Sequence, residues 1–308
     1  MDGRRRCVVR FRGKSTQEDR IPRLLDAVHL MACQLNAIWD LSALDGITVT
    51  TDLPSALNAL TRQRCRTDAA AFRRPKRQLV SAGCVVYIQR GQRWRRHVVL
   101  DIAYLGDLID TPASESIGVN IVAHELAHVA FLGDTPNPDW RRLFSAPSED
   151  WRPGALRFLA LSLWDEYAAC RLAAHHGNYA SVTVIFMNCL ALRLAPGLPR
   201  LSLGTRKHWH SLAAAPAFIR GVRVAQEPLL GAAYLMGHVD GLGVDVAIAT
   251  LSTSARTSAL APCWQPLLSV LRQIWEAEAR RPSAAHLDML RGVTEHALYI
   301  CQGAGMLP

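Results

Sequence analysis

The chain has 308 residues, enough to bury a full core as one large domain or as a core with a helical extension. Half of the residues are hydrophobic and a fifth are charged, which excludes a disordered or fibrous class and fits a folded globular protein. The net charge of +9 is almost wholly arginine, since only Lys14, Lys76 and Lys207 are lysine, and such a bias reflects composition as readily as function.

Residues 1–15 read as a mobile basic arm. No long apolar stretch follows Met1-Asp2-Gly3-Arg4-Arg5-Arg6, so no secretory signal is expected. From Thr16 to Leu41, residues Ile21, Leu24, Leu25, Val28, Ala32, Leu35 and Trp39 recur every three or four positions, the stripe of an amphipathic helix. Asp45-Gly46 is expected to turn the chain into a short β-branched strand, Ile47 to Thr50. Asp52 is a capping residue for a second helix, with Pro54 in its first turn and an end near Phe72. After a loop at residues 73–77, Cys84 to Ile88 and His97 to Ile102 flank Arg90-Gly91-Gln92-Arg93, which predicts a β-hairpin. Helices and strands in this mixture predict an α+β fold.

Thr111-Pro112, with Glu115 three residues on, predicts a helix that runs to Phe131 and stops at Gly133. In its middle stands Ile121-Val122-Ala123-His124-Glu125-Leu126-Ala127-His128, an H-E-x-x-H pattern. Four residues are slightly more than one helical turn, so His124 and His128 project from one face. Two neutral imidazoles so placed hold a divalent cation, most readily zinc, and Glu125 beside them is placed to accept a proton from water. Ile117, Ile121, His124 and His128 form one stripe, so the histidines interrupt a face that otherwise belongs to the core.

A long connection rich in Pro and Trp spans Gly133 to Gly154, and a strongly helical stretch then runs from Ala155 to His176. Glu166 shares a stripe there with Leu159, Leu163 and Cys170, where a carboxylate is costly unless it is paired or bound to metal. A catalytic zinc keeps three protein ligands and an open position, and Glu166 is the first choice for the third. Asp165 beside it and Asp134, six residues after His128, are the alternatives. Beyond Asn178 the chain reads as helical segments near 181–194, 210–222, 224–238, 243–256, 262–280 and 285–300.

His124-Glu125-Leu126-Ala127-His128 with a downstream Glu166-Tyr167-Ala168-Ala169 helix resembles the zincin metallopeptidases, and among them the gluzincin-type branch. The resemblance covers roughly residues 45–177. It implies a zincin-like core at 1–177, a small mixed sheet plus active-site helix, with 178–308 as a helical subdomain packed on it. It also implies a zinc-dependent peptidase in which His124, His128 and Glu166 hold Zn2+, and Glu125 is the catalytic base toward a peptide or protein substrate. An edge strand such as Val98 to Ile102 would pair with that substrate, and Tyr167, Tyr234 and His238 are candidate oxyanion donors. One departure stands out: Cys170 occupies the position where several gluzincin families carry a carboxylate.

The eight cysteines include no C-x-x-C pair, which predicts reduced thiols and a cytoplasmic setting. The apolar run Val182 to Leu192 contains Asn188 and is too short to span a bilayer, so no membrane partner is expected. His175-His176 and His208-Trp209-His210 are expected at the surface, because neighbouring helical positions point apart. The competing reading is a basic nucleic-acid-binding or regulatory protein whose zincin-like site is structural or degenerate. It rests on the block from Arg62 to Arg96, with Arg93, Arg95 and Arg96 as the contacts to neutralise. A solvated helix end and a hairpin turn explain that block more simply.

Overall fold

A computed structural model describes residues 7–14, 19–62, 82–90, 93–132, 151–194, 215–244, 257–277 and 283–303. The fold is mixed α+β, mostly helical, with one four-stranded sheet and eight helices among the described residues. It divides into two compact units, one of Met1–Asn137 with Leu172–Val182, the other of Pro138–Arg171 with Thr183–Pro308.

The first unit is built on the sheet, ordered β1 (Val9–Arg12), β2 (Leu44–Thr50), β4 (Arg93–Asp101) and β3 (Gly83–Arg90). The first three run parallel, and β3 returns antiparallel to β4 as the expected hairpin. Strand β1 corrects the expectation of a mobile arm: Val9 and Phe11 turn toward the core while Arg10 and Arg12 face out, so alternation lies beneath the basic composition. The turn expected at Asp45-Gly46 is also corrected. Both residues belong to β2, and the register against β4 shifts between Leu44 and Gly46.

One face of the sheet, with Ile47, Val49, Val98 and Leu100, is covered by α1 (Arg20–Asn36) and α3 (Ile117–Leu132). Helix α1 contributes Leu24, Val28, Met31, Ala32 and Leu35, a single buried stripe. On the other face Cys84 and Val99 pack on Ala56 of α2 (Leu53–Arg62), whose start is capped by the Asp52 carboxylate accepting from the Ser55 N–H at 3.0 Å. The expected extension of α2 to Phe72, the loop at 73–77, and Asp134 in the connection after α3 lie outside the described residues.

In the second unit, α4 (Trp151–Ala173) and α5 (Tyr179–Leu194), both of which pass from one unit to the other, are followed by α6 (Ala215–Gly241), α7 (Ala261–Glu276) and α8 (Ala284–Gly303). The described parts of the two segments expected near 210–222 and 224–238 form one helix, α6, which carries Pro228 in its interior. Trp164 and Tyr167 of α4 stack with centroids 5.8 Å apart, and both are fully buried. No helix among the described residues is long and apolar enough to cross a membrane.

Candidate metal centre

Helix α3 is apolar on nearly every side, with Val122, Ala123, Leu126, Ala127 and Val129 fully buried. Its polar ends are therefore satisfied by the fold. It begins at Ile117, later than Thr111-Pro112 suggests, because the capping groups are Ser116 and Asp107. The Asp107 carboxylate accepts from the N–H groups of Ile117 at 2.6 Å and Gly118 at 3.0 Å, and the Ser116 hydroxyl accepts from Val119 at 3.1 Å. At the far end the buried Arg96 guanidinium donates to the carbonyls of His128 at 3.1 Å and Val129 at 2.7 Å. A carboxylate at the start and a guanidinium at the end are the charges that the helix dipole favours.

Between these caps stand the motif residues. The Nε2 atoms of His124 and His128 are 3.1 Å apart, with the rings nearly perpendicular at 85°. A carboxylate oxygen of Glu166 and one nitrogen of each imidazole lie within 4.8 Å of one another. His128 is buried, while His124 and Glu166 are half-buried. Glu125 is 7% exposed and its side chain lies against Gly83, the first residue of β3. Among the described residues this is the one group of three or more His, Cys, Asp or Glu side chains spaced to hold an ion. Asp165 is half-buried beside it and does not enter that group.

Other expectations meet a different geometry. Strand β4, with Val98 to Asp101, is interior, so it is not the edge expected to receive a substrate; β3 and β1 are the edges. The Tyr167 hydroxyl donates to Asp240 at 2.7 Å and receives a bond from Arg171. Burial, then the Asp240 carboxylate, pushes its pKa up, so it is engaged as a neutral donor inside the second unit. His238 is fully buried, with Nε2 3.1 Å from the Thr183 hydroxyl, and Tyr234 stacks on Phe186. Arg95 and Arg96 are buried; Arg95 donates to the Ser42 carbonyl, and Arg96 also stands 5.4 Å from the Tyr87 ring centroid. Arg90 forks onto Asp45 at 2.6 and 2.9 Å. These three arginines are bonded within the fold. His175 is exposed as expected, whereas His176 is half-buried against Trp39, and burial followed by the neighbouring His175 lowers its pKa.

Gly83 and Asn120 escaped the sequence reading, and Arg96 entered it only as a nucleic-acid contact, not as a partner of α3. Asn120 is 5% exposed and donates to the carbonyls of Ala173 at 3.0 Å and His176 at 3.1 Å. It lies one turn before His124, and a polar residue in that apolar stripe was the available signal. Gly177 follows with a φ of +77°, and a Cβ there would lie 2.3 Å from the Ser116 carbonyl oxygen. Comparison of the chain with protein-family models, curated proteins and solved structures finds no match in any of the three.

Proposed function

We propose that the chain is a zinc-dependent peptidase of the zincin type, with His124, His128 and Glu166 as the metal ligands and Glu125 as the general base. The observation that carries this reading is the 3.1 Å separation of the two Nε2 atoms, together with a Glu166 oxygen within 4.8 Å of one ring nitrogen of each histidine. Two nitrogens on one tetrahedral zinc, each bonded at about 2.0–2.1 Å, stand about 3.3 Å apart, so the pair fits a shared ion. Two imidazoles and one carboxylate form a three-ligand set that leaves a fourth position for water, the pattern of a catalytic rather than a structural zinc.

Zinc, when bound, supplies a Lewis acid that polarises a carbonyl and lowers the pKa of water toward neutrality. Glu125 takes the proton from the attacking water and returns it to the leaving amine. Arg96 and Asp107 hold the two ends of α3, so the two imidazoles are presented on a fixed helix. Strand β3, an edge of the sheet, is the element on which an extended peptide would lie. The scattered thiols, with no C-x-x-C pair, support a reducing, cytoplasmic setting for this reading.

The test is elemental analysis of the purified full chain together with hydrolysis of unfolded β-casein. About one zinc per chain, and hydrolysis lost on chelation and restored by zinc, are expected. A chain that takes up no zinc, and whose melting is unchanged by chelators, refutes the reading.

A further inference from the structure

We propose that Gly83, the first residue of the edge strand β3, is the positioning residue for Glu125: its missing side chain is the space that the carboxylate occupies. This rests on the peptidase reading only for its consequence in catalysis; the placement itself is a property of the fold. A Cβ at Gly83 would lie 2.7 Å from Glu125 Cγ and 2.9 Å from both Cδ and Oε1. Those distances are well inside van der Waals contact, so a methyl group and the present carboxylate position exclude each other.

The glycine is not there for its backbone. Among the described residues Gly13, Gly177 and Gly243 have positive φ, and Gly83 does not, so an alanine meets no conformational penalty there. Gly83 is buried and sits in regular antiparallel register with Leu100 of β4. Glycine in a strand interior weakens the strand, and the usual reason for finding it there is close approach by another group. Here that group is the Glu125 side chain.

What would yield to an added methyl group follows from the same contacts. The three nearest atoms it meets all belong to the Glu125 side chain rather than to the main chain. Glu125 can rotate away at the cost of a rotamer change, while the sheet and α3 stay in place. Gly83→Ala is therefore expected to move the carboxylate and leave the two imidazoles where they are. A strand glycine thus fixes where the proton acceptor stands relative to a neighbouring metal, without touching the metal ligands.

The test compares four full-length proteins: wild type, Gly83→Ala, Glu125→Ala and the double variant. Each is titrated with Co2+, and the Co2+-loaded forms are titrated with acetohydroxamate, a two-oxygen metal ligand whose hydroxyl proton needs a carboxylate acceptor. Gly83→Ala is expected to bind Co2+ as wild type does and to bind acetohydroxamate about tenfold more weakly, the size of one lost charge-assisted hydrogen bond. In the Glu125→Ala background the same substitution is expected to change nothing. An equal loss in both backgrounds, or no loss in either, overturns the inference. A second readout needs no metal. The Glu125 carboxyl-carbon resonance of the metal-free protein, assigned by its disappearance in Glu125→Ala, is expected to shift in Gly83→Ala, and an unmoved resonance overturns the inference. A wild-type chain that takes up no Co2+ defeats the peptidase reading, and the resonance then decides the placement of Glu125 alone.

Discussion

Asp240 in the second unit and Glu125 in the first are both carboxylates enclosed by apolar helices, but their surroundings differ in kind. Asp240 receives three bonds from Arg272, at 2.6, 2.9 and 3.2 Å, and one from Tyr167 at 2.7 Å, with Arg171 at 3.7 Å. Arg171 in turn stands 4.6 Å from the Trp275 ring centroid. Donors and acceptors meet there within the protein itself, as in a structural network. Around Glu125 the neighbours on α3 are two imidazoles whose Nε2 atoms converge to 3.1 Å. Such a pair either shares one proton between its nitrogens or, in the proposed reading, one cation. The two regions thus differ in the groups that face the carboxylate: guanidinium and phenol donors around Asp240, a pair of imidazoles beside Glu125.

The sharpest way to break this contrast is Glu125→Gln. Hydrolysis of β-casein is expected to fall by about 10²–10⁴-fold, the usual contribution of a general base, while zinc content by elemental analysis stays at wild-type level. Next is Asp240→Ala, which strands a tyrosine hydroxyl and two guanidinium groups. It is expected to cost about 3 kcal/mol in urea denaturation, at the low end for a broken buried pair because both arginines keep some contact with water, and to leave zinc affinity unchanged. Arg96→Met removes a charged donor from the last carbonyls of α3. A loss of about 2 kcal/mol by the same measurement, accompanied by weaker zinc binding, is expected. If Asp240→Ala weakens zinc binding as much as Arg96→Met does, the contrast between the two regions fails.

The smallest effect is alkaline. Burial pushes the thiols of Cys263 and Cys301 from 9.0 to about 11, with the neighbouring Cys263 adding to the shift of Cys301. A raised pKa means that the folded state holds the proton more tightly than the unfolded state. The associated stability is complete below pH 9 and is lost as the pH rises through 11. Tyr167 shifts in the same direction from a higher starting value. Urea midpoints measured from pH 8 to pH 11 should fall, and Cys263→Ala should flatten the curve.

The parts of this molecule legible in its sequence are those fixed by period and by local chemistry. The stripe in α1, the β3–β4 hairpin, the Asp52 cap and the helical spacing of His124 and His128 all depend on residues a few positions apart. What escaped depends on distant partners. Asp107 caps α3 from ten residues upstream, Arg96 closes it from a neighbouring strand, and Asn120 reaches carbonyls more than fifty residues away. Val9 and Phe11 were hidden by the arginines between and beside them, and β1 becomes recognisable only when β2 lies alongside. A break was expected near residue 223, yet α6 continues through it and through Pro228, with Leu229, Ala232 and Ala233 fully buried beyond the proline. The proposed third ligand falls between these cases: an apolar stripe singles out Glu166, and only the folded chain groups its carboxylate with the imidazoles.

The chain visits its two units alternately, passing from the first to the second after Asn137, back at Leu172, and out again after Val182. The carbonyls that Asn120 caps, at Ala173 and His176, belong to that short returning stretch, as does Asn178, whose N–H donates to the Ser116 carbonyl. During synthesis the sheet and the H-E-x-x-H helix therefore leave the ribosome well before the segment that completes their own unit. Neither unit is a cassette that evolution or cloning can lift out by cutting the chain once. A nascent chain halted near residue 140 would carry the whole motif while Asn120 and Ser116 still waited for the backbone groups that hold the start of its helix.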